Sequence, residues 1–378
     1  MSNYVYLDHN ATTKTRPEAI QAVTCVLASV GNPSSVHKPG REARKIMEQA
    51  RADVAALVNG LAEDVVFTSG GTEANNLALK GCGRLRRLVS AVEHSSVLNG
   101  GGEIIEVDEN GIVDLGRLDG QLLSDDTPAL VSVMLANNET GVIEPIKDIV
   151  AIAHRHGALV HCDAIQAAGK ISVDIVDLGV DIMTLSAHKI GGAAGSGAVI
   201  VPGLGSGTGA DLKGLLFGGG QEHGYRVGTE NLAGIAGFGA AASAALAGLS
   251  DFAELANLRD AIDKAIKTIE PNAMVLGVDV ERLPNTTCLT MPGTDSDTQV
   301  MAFDLAGVGI SAGSACSSGK AKASGVLKAM KVSDENARSV IRVSLGWSSE
   351  ETDVEVFVVA WRDLYWRIPA RKTNLSAA

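Results

Sequence analysis

The chain has 378 residues, 46% of them hydrophobic, and a formal net charge of −12. That length allows one large domain and a smaller one with substantial buried cores, and the acidic balance excludes a protein that wraps nucleic acid through a broad basic surface. The five cysteines, Cys25, Cys82, Cys162, Cys288 and Cys316, are scattered and never form a CxxC pair, which suits a reducing cytoplasm better than a disulfide framework.

The first ten residues include Asp8 and His9 and lack the apolar run of a secretory signal, so export is not expected. Pro17 marks a helix start, Gly31 follows its end, and an amphipathic helix is predicted over 40–58. Apolar runs at 64–68, 88–92, 130–135, 158–163 and 181–185 alternate with helical patterns. Such runs, apolar throughout, predict a central and mostly parallel sheet covered on both faces. The uncharged stretch 232–250 is rich in Ala and Gly and only mildly hydrophobic, so a buried helix is expected there and no membrane contact.

Beyond it the pattern predicts a charged helix over 251–269, strands near 288–290 and 341–345, and a final helix opened by Ser348 and Glu351 in capping-box spacing. The three tryptophans, Trp347, Trp361 and Trp366, are expected to pack locally in this smaller part. The expected division is a large domain over 14–250 and a small domain formed by 1–13 and 251–378. No internal repeat or low-complexity tract is present.

Ligands of α/β folds gather at the carboxyl ends of parallel strands, and four predicted strand ends carry polar clusters. In TSGGTEANN, over 68–76, glycines lead into a helix whose first N–H groups can hold a phosphate, with Thr72 adding a hydroxyl. His94 follows the second strand, where a structural histidine is the competing reading. Asp163 ends another strand, with Gln166 three residues on. A carboxylate there either caps a helix or pairs with a ligand nitrogen.

The most informative cluster is Ser186, His188 and Lys189, followed by the Gly-rich stretch 190–197. No GxxxxGK[ST] phosphate loop surrounds the lysine, and its other role is a Schiff base with a carbonyl cofactor. Aspartate, lysine, histidine and a phosphate-binding turn together describe a pyridoxal-phosphate site.

Nearly the whole chain resembles the cysteine desulfurases of iron–sulfur cluster assembly and nitrogen fixation, within the class V aminotransferases. The resemblance rests on YLDHNATT at 6–13, GNPSSVH at 31–37, GGTEANN at 70–76, ANNETGV at 136–142, the SxHK segment ending at Lys189, GGGQEHGYRVGTEN at 218–231, GSACSSG at 313–319 and IRVSLG at 341–346. It implies an α/β fold of the pyridoxal-phosphate-dependent transferase type (fold type I), with a mostly parallel sheet in the large domain and a smaller α+β domain. Lys189 would hold pyridoxal 5'-phosphate, Asp163 would pair with its ring nitrogen, and His94 would stack on the ring and shuttle protons. Gln166 and Asn138 would bind the ring oxygen, while Gly71, Thr72, Ser186 and His188 would bind the phosphate. Thr229, from the partner subunit of a homodimer, would complete the phosphate site.

The resemblance also implies that Arg342, aided by Asn32, grips the carboxylate of L-cysteine. Cys316 would take the sulfur as a persulfide and pass it to an acceptor protein such as an iron–sulfur scaffold. The Gly and Ser content around Cys316 predicts a mobile, exposed loop, and the other four cysteines read as packing residues. The chain departs from the family at Gly191–Gly197, at 320–325, and at Trp347, where an arginine is common. Selenocysteine lyase or transamination on the same framework, and a non-catalytic sulfur-handling scaffold, are the competing readings. No metal and no direct nucleic-acid binding are expected.

Overall fold

In the computed structural model, which describes residues 4–313 and 324–367, twelve strands are laid out along the chain. They are β1 (Val5–Tyr6), β2 (Val65–Thr68), β3 (Arg86–Ser90), β4 (Glu103–Ile105), β5 (Ala129–Met134) and β6 (Leu159–Asp163), then β7 (Ile182–Ser186), β8 (Gly197–Ile200), β9 (Thr286–Thr290), β10 (Val308–Gly309), β11 (Ser311–Ala312) and β12 (Val340–Ser344). Seven of them form one sheet in the order β2-β8-β7-β6-β5-β3-β4. Strands β4, β3, β5, β6 and β7 pair in parallel. All residues of β2, β5 and β7 are buried, as two covered faces require.

Two strands of this sheet were not expected from the sequence, β4 and β8, and neither were the two-residue strands β1, β10 and β11 outside it. The ten residues between Ser186 and Gly197 are too few for a helical crossover, so β8 returns antiparallel between β7 and β2. Glycine at 197 is required by contact rather than by conformation, since a Cβ there would lie 2.6 Å from the Gly70 carbonyl carbon. The turn after β2 and the turn after β7 are thereby pressed together.

Helix α1 (Pro17–Leu27) begins at its proline, and α2 (Lys38–Ala56) begins two residues before the expected start. The Ala-rich helix Leu232–Ala247 packs against both, with Gly239 resting on Ala50. No single helix among the described residues is long and apolar enough to cross a membrane. The charged stretch is broken into Leu249–Ala253 and Leu255–Ile269. The last helix, Glu351–Arg367, is capped differently from the sequence expectation. Ser348 is not its cap; the Asp353 carboxylate instead accepts from the Glu350 N–H at 3.0 Å, two residues further on.

The N-terminal segment crosses to the C-terminal part of the chain. β1 pairs in parallel with β10, and Asp8 bridges to Ser344 beside the antiparallel sheet β11-β12-β9. Leu7, Ile262, Phe303, Phe357 and Trp361 fill a second core there. Trp361 is fully buried, as the packing role predicts. Trp347 reaches back, its Nε1 donating to the Lys14 carbonyl at 2.9 Å while the Arg16 guanidinium lies 5.1 Å over its ring. Arg16 Nε donates to the Ile190 carbonyl at 3.0 Å. Gly191, at φ +92°, leaves the space that Arg16 occupies, since a Cβ there would meet Arg16 Cγ at 2.6 Å.

A buried ion pair fastens the GGGQEHG segment to the sheet. Glu222 takes both Nη atoms of Arg51, at 2.8 and 2.6 Å, and accepts from the Phe67 N–H at 2.8 Å. Breaking one partner of such a pair leaves an uncompensated buried charge. Glu222→Gln is therefore expected to lower unfolding stability by about 3–5 kcal/mol, read by chemical denaturation; a loss near zero would mean that water reaches Arg51.

Candidate active site

The carboxyl ends of β2, β3, β5, β6 and β7 lie along one edge of the sheet, and a cavity of about 300 Å³ opens there. Ten of the thirteen residues singled out in the sequence line it. Gly71 and Thr72 arrive at the start of α3 (Gly71–Gly81), His94 from the turn after β3, and Asn138 from the loop after β5. Asp163 and Gln166 follow β6, Ser186, His188 and Lys189 follow β7, and Arg342 reaches in from β12. Three do not line it. Asn32 is exposed, its Oδ1 accepting from the Ser34 N–H at 2.8 Å, Thr229 is exposed, and Cys316 lies outside the described residues.

Asp163 is buried at the end of β6 and accepts from Asn75 Nδ2 at 2.7 Å and from the Ile165 N–H at 3.0 Å. Burial raises its proton affinity, and these two donors, with the charges of His94 and Lys189, oppose that rise. Asn75 is held in turn by Thr184, whose hydroxyl donates to its Oδ1 at 2.6 Å. Both direct donors to the carboxylate are neutral, so a cationic ring nitrogen would complete its neutralisation.

His94 caps the short helix Ser95–Leu98, its Nδ1 accepting from the Ser96 N–H at 3.1 Å. With Nδ1 an acceptor, the neutral ring carries its proton on Nε2. Burial pushes the imidazole below its ordinary value, with Asp163 opposing and Lys189 assisting, which favours the neutral ring. Burial and the Lys189 charge together push His188 down to about 4, and its Nδ1 lies 3.2 Å from the Thr12 hydroxyl.

Lys189 extends from the turn after β7, its Nζ donating to the carbonyls of Asn10 at 2.5 Å and Ala11 at 2.8 Å. Arg342 is almost wholly buried. Its Nη1 donates to the Asn138 carbonyl at 3.0 Å and its Nη2 to Asp8 Oδ1 at 2.5 Å, while its Nε has no partner among the described residues. The Ser186 hydroxyl is likewise buried without a partner among them. An orphaned hydroxyl beside a helix start, a lysine, and a carboxylate with only neutral donors are the groups that a phosphate, an aldehyde and a pyridine nitrogen would satisfy, so the donor set fits pyridoxal phosphate.

Sequence reasoning passed over Asn75, Asn10, Ser96 and Glu93. Asn75 and Asn10 stand inside the quoted GGTEANN and YLDHNATT motifs, which was the available signal. Glu93 is fully buried, and its carboxylate accepts from the Met134 N–H. Burial, followed by the nearby Asp163, pushes its proton affinity well up. The cysteines need one correction: Cys82, Cys162 and Cys288 are buried as expected, but Cys25 is exposed on α1.

Comparison with known proteins agrees with the donor set. The aminotransferase class V family model matches residues 5–357. A cysteine desulfurase of Cereibacter sphaeroides is 40% identical over 91% of this chain and 92% of its own length. The cysteine desulfurase IscS of Dictyoglomus turgidum is 37% identical over 94% and 92%. The solved structure of a NifS-like protein from Rickettsia africae superimposes with a TM-score of 0.87 at 35% identity, covering 96% of this chain and 99% of that one. The fold is thus that of the pyridoxal-phosphate-dependent transferases, and the chain belongs to the aminotransferase class V family, among its cysteine desulfurases.

Proposed function

We propose that the cavity converts L-cysteine to L-alanine and that Cys316 leaves the cycle carrying the sulfur as a persulfide. The observation that carries this reading is the convergence of Lys189, Asp163 and Arg342 on one cavity. When bound there, pyridoxal phosphate supplies an electron sink for negative charge developing at the amino acid's Cα. Ser186, His188, Thr72 and the first N–H groups of α3 would hold its phosphate, and Asp163 would pair with its ring nitrogen. Arg342 receives the substrate carboxylate with two parallel charge-assisted hydrogen bonds, exchanging its present contact with Asp8. Lys189 Nζ would take the Cα proton, and His94 Nε2 would return protons to the substrate carbon.

The sulfur step needs a thiolate. Burial raises the proton affinity of Cys82, Cys162 and Cys288, and none of them or Cys25 lines the cavity, which favours Cys316 as the nucleophile. Both ends of its segment are tied to elements of the site. Gly313 N–H donates to the Val340 carbonyl beside Arg342 at 3.2 Å, and the Ser324 hydroxyl donates to Glu139, next to Asn138, at 2.6 Å. Three residues from Gly313 span at most about 11 Å. Attack on the substrate Sγ forms an S–S bond and breaks Cβ–Sγ, whose electron pair stays with the carbon fragment. Protonation then gives alanine.

The working form in this proposal is a homodimer. Thr229 is exposed and does not line its own chain's cavity, and Phe217 and Leu216 form an exposed apolar run nearby in the sequence, a surface that a second copy would cover while supplying its Thr229. The small domain of the proposal comprises 1–13 and 251–378, supported by the pairing of β1 with β10. A protein acceptor of the iron–sulfur scaffold class takes the persulfide sulfur in a reducing cytoplasm, where Cys82, Cys162 and Cys288 stay as free thiols. An absorbance spectrum, followed by L-cysteine addition under reductant, tests the reading. A visible band with equal alanine and sulfide supports it; a protein that stays colourless and inert with added pyridoxal phosphate would sink it.

A further inference from the structure

Lys170 is a buried amino group that the proposed cycle leaves without a task. It does not line the cavity; it stands behind Gln166, which does. Its Nζ donates to Gln166 Oε1 at 2.7 Å and to Asn10 Oδ1 at 2.8 Å. Two amide oxygens are therefore turned toward one donor, and the two amide nitrogens must point elsewhere. Gln166 Nε2 donates to the Asn10 carbonyl at 2.9 Å, the same oxygen that receives Lys189 Nζ. Asn10 Nδ2 donates to Thr286 Oγ1 at 2.9 Å and to the Asn138 carbonyl at 3.3 Å, which also accepts from Arg342.

The charges around Lys170 sharpen this arrangement. Burial pushes its proton affinity well down, and the Lys189 and Arg342 cations push the same way. His9, the other titratable group facing it, is pushed down to about 4 by burial and then by the Lys170 charge. An uncharged amine has two N–H bonds, and two acceptors are present, so donation to both amides survives loss of the proton.

We propose that Lys170 is a positioning residue for the cofactor, fixing the polarity of the Gln166 amide and, together with Asn285 Nδ2, which donates to Asn10 Oδ1 at 3.2 Å, that of the Asn10 amide, so that N–H rather than C=O is offered to the cofactor's ring oxygen and to the Asn138 carbonyl beneath Arg342. The inference rests on the pyridoxal-phosphate reading of the cavity. With the donor removed, the Gln166 amide can turn over and present its oxygen to the oxygen it should bind.

The test compares full-length wild type, Lys170→Met and Lys170→Gln, each stripped of cofactor and titrated with pyridoxal phosphate. Lys170→Met should weaken cofactor binding about tenfold or more. It should also raise the pH midpoint of the visible absorbance by about half a unit, because an electropositive donor near Lys189 has gone. Lys170→Gln keeps an N–H donor and should recover most of the binding. A role in packing alone would lower the melting temperature of Lys170→Met and leave the midpoint where wild type has it. That unchanged midpoint, with affinity within about threefold of wild type, would overturn the inference. If Lys170→Met does not fold, a folded Lys170→Gln that binds as weakly as expected for Met would overturn it as well. Failure of wild type to develop a visible band would instead remove the cofactor reading itself.

Discussion

Lys189→Ala is expected to abolish the visible band of the protein with pyridoxal phosphate and to lower alanine production by about 10²–10⁴-fold, the range of a lost proton-transferring group. The position leaves little room for a substitute. Nζ sits where the Asn10 and Ala11 carbonyls converge, and the buried amino group of Lys170 is tied up by hydrogen bonds to Gln166 and Asn10. The phosphate-side residues Thr72, Ser186 and His188 are untouched by the change, so the variant should still bind the cofactor without the covalent bond. Retention of more than about one-hundredth of wild-type alanine production would mean that another group moves the Cα proton, with His94 the first to examine.

Cys316→Ser separates the sulfur step from the chemistry at Cα. Sulfide production should fall by at least about a thousandfold, as expected on loss of a nucleophile, while the absorbance with cofactor stays as in wild type. A serine hydroxyl is almost wholly protonated near neutral pH and does not form a stable bond to sulfur, so the conservative change in shape is a complete change in reactivity. Cys25→Ser is the paired control, because Cys25 is exposed on α1 and absent from the cavity lining. If Cys25→Ser lost sulfide production and Cys316→Ser kept it, the assignment would reverse.

The parts of the site that follow strand ends were legible in the sequence because an apolar run must stop where polar side chains emerge. Asp163 and the Ser186–Lys189 group are of this kind, and the structure brings them to one cavity. The supporting contacts were not legible, since they join distant segments. Gln166 meets the Asn10 carbonyl across 156 positions and Lys170 meets the Asn10 side chain across 160, and no local period or spacing encodes such a pairing. β8 was missed for another reason. Its four residues follow a glycine-rich stretch that reads as loop, and its direction is set by the short connection to β7. The last helix shows a near miss of a local rule, with Asp353 rather than Glu351 supplying the carboxylate that reaches back, to the Glu350 N–H rather than to Ser348.

Two of the departures from the family's sequence pattern, the glycine run after Lys189 and Trp347, are separated by some 150 positions yet meet at Arg16. Gly191 vacates the space that the Arg16 side chain fills, and Trp347 provides the face over which its guanidinium lies. These positions therefore form one packing unit: an arginine grafted at 347 alone would face the Arg16 cation, and a side chain grafted at 191 alone would collide with it. Chimeras of this enzyme with its relatives should be drawn so that residues 16, 191 and 347 travel together.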